Sequence, residues 1–160
     1  DDVESRGLGD VYKRQAHTYY WGDIHLQNFG EKRGSQISPV KDAIDYGMKY
    51  TFHQDTPVIP PDMMRTISSA VNRISRGGRV IGENQKISVL DALKAVTIYA
   101  AYQYFEEHEK GSIECGKYAD FVVLEKNPLE TPKEELAEIK VWMTIKENEV
   151  IYRSGEANHE

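Results

Sequence analysis

The chain has 160 residues, 39% of them hydrophobic and 29% charged, which is the balance of a folded domain and excludes a disordered or collagen-like chain. Its formal net charge of −6, with no basic stripe, argues against nucleic-acid binding, which needs clustered Lys and Arg against phosphates. No apolar run approaches the roughly 20 residues that cross a bilayer, and the single cysteine, Cys115, leaves no intrachain disulfide and favours a reducing, cytoplasmic setting.

Residues 1–15 are polar, contain glycine and show no periodic apolar face. The stretch from Gly7 to Gln15 resembles a translated sequencing adapter of the kind found at the ends of metagenomic assemblies, so these residues are expected to be non-native or disordered. From Ala16 to Trp21 the sequence is β-prone and aromatic, which predicts a short strand ended by Gly22-Asp23. Ser38-Pro39 reads as an N-cap and first helical position for a short helix to about Tyr46, stopped by Gly47. Lys49–Asp55 reads as a second strand, closed off by Pro57, Pro60 and Pro61. Asp62 is placed to cap a helix whose apolar face is Met64, Ile67, Val71 and Ile74, with Gly77-Gly78 as its end. Arg73, Arg76 and Arg79 near that end complement the helix dipole. Ser88 caps a longer helix, Val89 to about Glu106, apolar round most of its circumference and so expected to be buried. From Gly111 the pattern turns extended. Phe121–Leu124 is a continuous apolar run, Ile139–Lys146 alternates, and Glu147-Asn148 makes a tight hairpin to Glu149–Tyr152. The expected architecture is α/β, the end of a barrel of alternating strands and helices followed by a small β unit.

Asp55 is the leading candidate for chemistry. An acid at the C-terminal end of a barrel strand faces the side where barrel active sites are built, and there it can bind a divalent metal or move a proton. Equally, Asp is a common first residue of a turn, here before Thr56-Pro57. His53 shares the face of Asp55 by the two-residue period, and reads as a ligand, a substrate contact, a partner of a ligand or a satisfied interior histidine. His17, after the preceding predicted strand, could reach the same mouth. Trp21 and Arg33 suit a substrate pocket, and also core packing and a surface ion pair. His25 and His108 are assigned nothing. Two histidines and an acid at this spacing are no compact zinc motif.

Two stretches carry more as patterns. Gly111-Ser112-Ile113-Glu114-Cys115-Gly116-Lys117-Tyr118-Ala119-Asp120, followed by Phe121–Leu124, resembles the segment with which amidohydrolase-superfamily enzymes leave their barrel and enter a small β-sandwich. Phe52–Val58 together with His17–Asp23, and Ala70–Arg73 with Gly82 and the Ser88 helix, resemble the YtcJ-like branch that includes N-substituted formamide deformylase-like proteins. One departure is Asn148, where the family usually has Gly; Asn adopts the same left-handed conformation. The resemblance implies the last two strand–helix units of a (β/α)8 TIM-type barrel over residues 16–108, a β-sandwich segment over 109–153 and a frayed tail over 154–160. It implies a metal-dependent hydrolase of amide or formamide bonds acting on small molecules, using a divalent metal, zinc by expectation. Asp55 then matches a metal ligand and proton shuttle, while His17, His53 and Trp21 are expected near the substrate. The family's other ligands come from earlier strands, so this chain is expected to be an incomplete, inactive C-terminal piece. The rival readings are a branch acting on cyclic amides or D-aminoacyl amides, and a non-catalytic barrel fragment or binding module. Nothing in the composition opposes a homo-oligomer.

Overall fold

The computed structural model describes residues 11–13 and 15–155. The elements are β1 (Val11–Lys13), α1 (Ala16–Gly34), α2 (Val40–Asp45), β2 (Tyr50–Phe52), α3 (Met63–Asn72), α4 (Val89–Val96), α5 (Ile98–Gln103), β3 (Phe121–Leu124), β4 (Val141–Lys146) and β5 (Glu149–Arg153). β1 and β2 pair in parallel, and β3, β4 and β5 form an antiparallel sheet in that order. Strands in parallel joined through helices, then a meander, make the chain α/β.

The largest departure from expectation lies at the start. Ala16–Trp21 is the first turns of α1 and not a strand, and the strand that precedes it is Val11–Lys13, inside the stretch expected to be non-native or disordered. Aromatic and β-branched residues favour strands only as surfaces that fit a pleat. Here His17, Trp21 and His25 also stand four residues apart, which is a helical row. The adapter reading of residues 1–10 and 14, and the tail from residue 156, lie outside the described residues.

α3 behaves as its pattern predicts. The Asp62 side chain accepts from the Arg65 amide at 2.8 Å, which satisfies one of the orphan N–H groups of the first turn. Met64, Ile67 and Val71 are buried against Val40, Tyr50, Ala92 and Leu136. The helix stops earlier than Gly77-Gly78, however. Arg73 takes a left-handed conformation (φ 56) and Ile74 is half-exposed, bridging to Val80 across a small hairpin. The predicted long helix after Ser88 is divided at Thr97, whose hydroxyl donates to the Leu93 carbonyl at 2.8 Å. Such back-bonding to residue i−4 loosens a helix. Nor is it fully buried: Leu90 and Tyr104 are exposed. α3, α4, α5 and the sheet border a largely apolar cleft of about 1080 Å³, lined by Met64, Ile67, Leu93, Val122 and Tyr152 among others.

Ser38 is not an N-cap; it sits at φ 48 and its carbonyl serves Arg73 instead. That guanidinium, fully buried, donates to four backbone carbonyls: Ile81 at 2.7 Å, Ile37 at 2.8 Å, Ser38 at 3.1 Å and Ser35 at 3.3 Å. Burial pushes it down to about 10 from an ordinary 12.5, which leaves it charged near neutral pH. Gly82, at φ +71, lies so close to the Ser35 carbonyl that a Cβ would stand 2.0 Å from its oxygen, so no side chain fits there. Tyr50, also buried, donates its hydroxyl to the Asp91 carbonyl at 3.1 Å. Burial, reinforced by the Asp91 charge, holds its phenol well above the usual range.

The glycine-rich connection to the sheet is built around Lys117. Its ammonium donates to the Glu107 carbonyl at 2.5 Å and to Ser112 Oγ at 2.6 Å. Gly111, at φ +88, packs where a Cβ would meet Ala101 Cβ at 2.7 Å. Asp120 then accepts the Glu147 amide at 2.8 Å and fixes the turn between β4 and β5, where Glu147 and Asn148 are both left-handed. Leu136, on a 3-10 stretch over Lys133–Glu138 that periodicity did not announce, and Ile139 just after it pin this half of the chain to α3.

Replacing Arg73 by Met strands buried carbonyls, each worth about 1–3 kcal/mol when left unpaired. Urea unfolding should show Arg73→Met destabilised by about 3 kcal/mol, and Arg73→Lys should recover less than half of that, because an ammonium lacks the planar fork. Wild-type midpoints for both variants would refute this role.

Candidate active site

The site forms where β2 ends and α1 begins. The chain leaves β2 at Phe52, and Gln54 anchors the exit by donating to Thr66 Oγ1 of α3 at 2.8 Å. Asp55 follows in the left-handed region, at φ 67, which Asp tolerates better than most residues. Its carbonyl accepts the Val58 amide at 2.8 Å, so the turn reading of Asp55 holds for the backbone.

The Asp55 carboxylate stands between two imidazoles. His53 Nε2 lies 3.3 Å from Oδ1 and His17 Nε2 lies 3.5 Å from Oδ2. The first is a long hydrogen bond and the second an ion-pair distance, so each carboxylate oxygen has a nitrogen neighbour. Asp55 keeps 31% of its side-chain surface exposed and His17 keeps 17%, so the carboxylate is reachable and its neighbour largely enclosed. Trp21, one turn further along α1, meets the His17 ring edge-on with centroids 4.6 Å apart and planes at 68°. The four residues singled out from the sequence therefore meet: Asp55 and His53 from the strand exit, His17 and Trp21 from a helix and not from a strand.

α1 is held in place by contacts that residue spacing did not reveal. The Arg76 amide donates to the Tyr19 carbonyl at 2.7 Å, and the Gly77 amide to Asp23 Oδ2 at 3.3 Å. The Arg65 guanidinium lies 5.0 Å from the Tyr19 ring centroid. Gly22 lets Ile81 approach so closely that a Cβ would meet its Cγ1 at 2.6 Å. Arg73, read from sequence as a helix-dipole cation, is the residue whose part was missed. Its only sequence signal is a charged residue on the stripe that carries Ala70 and Ile74, too weak to distinguish it from a surface cation. Arg33 is exposed, and His108 is exposed beside Glu107, with 3.7 Å between Nε2 and Oε1.

Carboxylate and imidazole are fitting donors for a zinc-like ion. Among the described residues, however, no group of three or more His, Cys, Asp or Glu side chains is arranged to hold a metal ion. Asp55 and its two imidazoles are therefore not a metal site by themselves.

Comparison with known proteins gives the family. The sequence model of the amidohydrolase family matches residues 10–152. The chain is 26% identical over 148 residues to an N-substituted formamide deformylase of Arthrobacter pascens, covering 91% of this chain and 27% of that protein. It is 27% identical over 133 residues to a putative amidohydrolase, YtcJ, of Bacillus subtilis, covering 81% of this chain and 25% of that protein. The chain thus spans about a quarter of the length of the curated relatives it matches. In fold it resembles an uncharacterized metal-dependent hydrolase of Pyrococcus horikoshii, with a TM-score of 0.62 and 23% identity over 84% of this chain and 28% of that one. With the family pattern running through nearly all of its described residues, the chain belongs to the amidohydrolase family and resembles the formamide deformylase and YtcJ branch within it.

Proposed function

We propose that the protein carrying this chain is a metal-dependent hydrolase of carbon–nitrogen bonds other than peptide bonds, cleaving an amide or formamide of a small molecule. The observation that carries the reading is the Asp55 carboxylate, partly exposed just beyond β2 and flanked by His17 and His53, in a chain whose family hydrolyses through such an acid. We further propose that the last two strand–helix units of a (β/α)8 barrel run to residue 108 and start at β1, ahead of the expected boundary at residue 16, and that residues 109–153 are a segment of a β-sandwich. Parallel pairing of β1 with β2 and the separate antiparallel sheet support that division.

Asp55 would be one ligand of a divalent metal, with zinc the best match to its donor set, and the other ligands would come from outside the described residues. When bound, such an ion supplies Lewis acidity that makes water a nucleophile at neutral pH. The protein's own part is proton transfer and positioning. Asp55 accepts a proton from the attacking water and returns it to the departing nitrogen, which must leave as a neutral amine. His53 and His17 hold the carboxylate in line and contact the substrate, and Trp21 fixes the His17 ring. Hydrolysis of this kind needs no redox cofactor.

Two outcomes are expected. In the full-length protein, Asp55→Asn should retain fold and lower kcat by about a hundredfold or more, the usual scale for removing an acid–base group, and should lower the bound zinc measured by atomic emission. Unchanged kcat and zinc content would sink the assignment. The 160-residue chain alone should hydrolyse nothing and sediment as aggregate, since its open strand edges and apolar cleft lack cover; metal-dependent hydrolysis by the isolated chain would overturn that.

The backbone of Asp55 gives an independent check. A left-handed residue with a Cβ costs roughly 1–2 kcal/mol. Asp55→Gly should therefore match or exceed wild-type stability in thermal unfolding while losing activity, and Asp55→Ala should be the least stable of the three. An Asp55→Ala protein as stable as Asp55→Gly would show that the conformation is not under strain.

A further inference from the structure

β2 ends at Phe52, and the residues just after it carry two of the site's polar groups, His53 and Asp55. Gln54 stands between them and, by the two-residue period of an extended chain, projects to the opposite side. The contacts agree. His53 Nε2 lies 3.3 Å from Asp55 Oδ1, while Gln54 Nε2 donates to Thr66 Oγ1 of α3 at 2.8 Å.

The partner in that bond is itself anchored. Thr66 is fully buried, and its one hydroxyl proton goes to the Asp62 carbonyl at 2.9 Å. Toward Gln54 the hydroxyl can therefore only accept, and the side-chain amide must present its nitrogen. Asp62 is held as well: its carbonyl accepts the Thr66 amide at 3.1 Å and its Oδ1 the Arg65 amide at 2.8 Å. Met64, Ile67 and Ala70, around Thr66 on α3, lie in the main core. The bond thus ties the residue before Asp55 to the rigid start of α3, across a loop whose Pro57, Val58, Pro60 and Pro61 are exposed. Removing the donor leaves a buried hydroxyl short of a partner and releases the chain at Asp55. The site tolerates little movement there, because 3.3 Å to His53 and 3.5 Å to His17 are already long separations.

We infer that Gln54 and Thr66 are a positioning pair for the Asp55 carboxylate. Their hydrogen bond sets where the carboxylate stands between His53 and His17, and it governs proton transfer without touching substrate. This rests on the proposed part of Asp55 in hydrolysis.

The test uses the full-length protein and an N-substituted formamide. Gln54→Met removes the donor at nearly constant length, and Thr66→Val removes the hydroxyl at nearly constant volume. Each should lower kcat by about tenfold or more, the scale of a displaced catalytic group, with KM nearly unchanged, because the loss falls on the transition state. The double variant should be no worse than the poorer single one, since the two residues act as a unit. Thr66→Ser, which keeps the hydroxyl, should restore most of kcat. Ile67→Val, next along α3 and outside the clamp, should lower the urea midpoint but not kcat. Wild-type kcat in Gln54→Met and Thr66→Val, a loss that Ser does not repair, or an equal loss in Ile67→Val would overturn the assignment. If the wild-type protein cleaves no formamide, or Asp55→Asn matches it, the reading of Asp55 fails by itself, and crystal structures of the metal-free variants decide the pair. A separation from Asp55 to His17 or His53 that grows beyond about 4 Å, out of ion-pair range, upholds it, and wild-type separations in both variants remove it.

Discussion

The Arg73 guanidinium is the interaction on which the rest of this structure depends. It gathers carbonyls from Ser35, Ile37, Ser38 and Ile81, joining the link between α1 and α2 to the hairpin after α3. A buried charge is costly unless every donor finds an acceptor, and this fork finds four. Those bonds place the 74–82 hairpin against α1, where Arg76 and Gly77 hold Tyr19 and Asp23 and Ile81 lies over Gly22. The position of α1 in turn sets the distance from His17 to Asp55. A residue with no contact to the site thus governs its geometry, through three links each made of hydrogen bonds or close packing.

How much of this was legible in the sequence depended on the range of the interaction. Capping by Asp62 and Ser88, the buried face of α3 and the hairpin at Asn148 are local, and local chemistry declares them. The Gly111–Asp120 pattern was recognisable as a pattern, and its residues now have reasons: Lys117 binds Ser112 and the Glu107 carbonyl, and Asp120 serves the hairpin turn. What failed were choices that tertiary contact makes. Ala16–Trp21 satisfies both strand propensity and a four-residue row, and contacts from the 74–82 hairpin favour the helix. Thr97 reads as an ordinary helical residue until its hydroxyl takes the Leu93 carbonyl. Arg73 looks like any cation near a helix end, because the carbonyls it needs are 35 to 38 residues earlier in the chain.

The candidate site was legible for a different reason. His53 and Asp55 share a face by the period of a strand, a relation that survived although β2 itself ends at Phe52. His17 was placed at the same mouth on the supposition of a neighbouring strand. It arrives there from the first turn of α1, which begins three residues after β1. A strand end and the start of the helix that follows it occupy the same edge of an α/β layer, so an error in the element left the location intact. The direction of the side chains did change, and with it the face of α1 that continues from the site.

Asp55 joins two demands that would conflict at most residues. The chain must reverse at once after β2, and the reversal uses a left-handed residue. The proposed hydrolysis needs a carboxylate at that same point, partly exposed and with an imidazole nitrogen near each oxygen. Glycine would serve the turn better and the chemistry not at all; glutamate would carry the charge but places it one methylene further from His17 and His53. Aspartate tolerates the backbone and has a side chain short enough to stay between the imidazoles, so its identity is fixed by conformation and chemistry together. Removing the carboxylate with Asn leaves the turn, the backbone preference and the neighbouring rings in place. That separation is what makes the loss of activity in such a variant attributable to the charge and not to a rearranged loop.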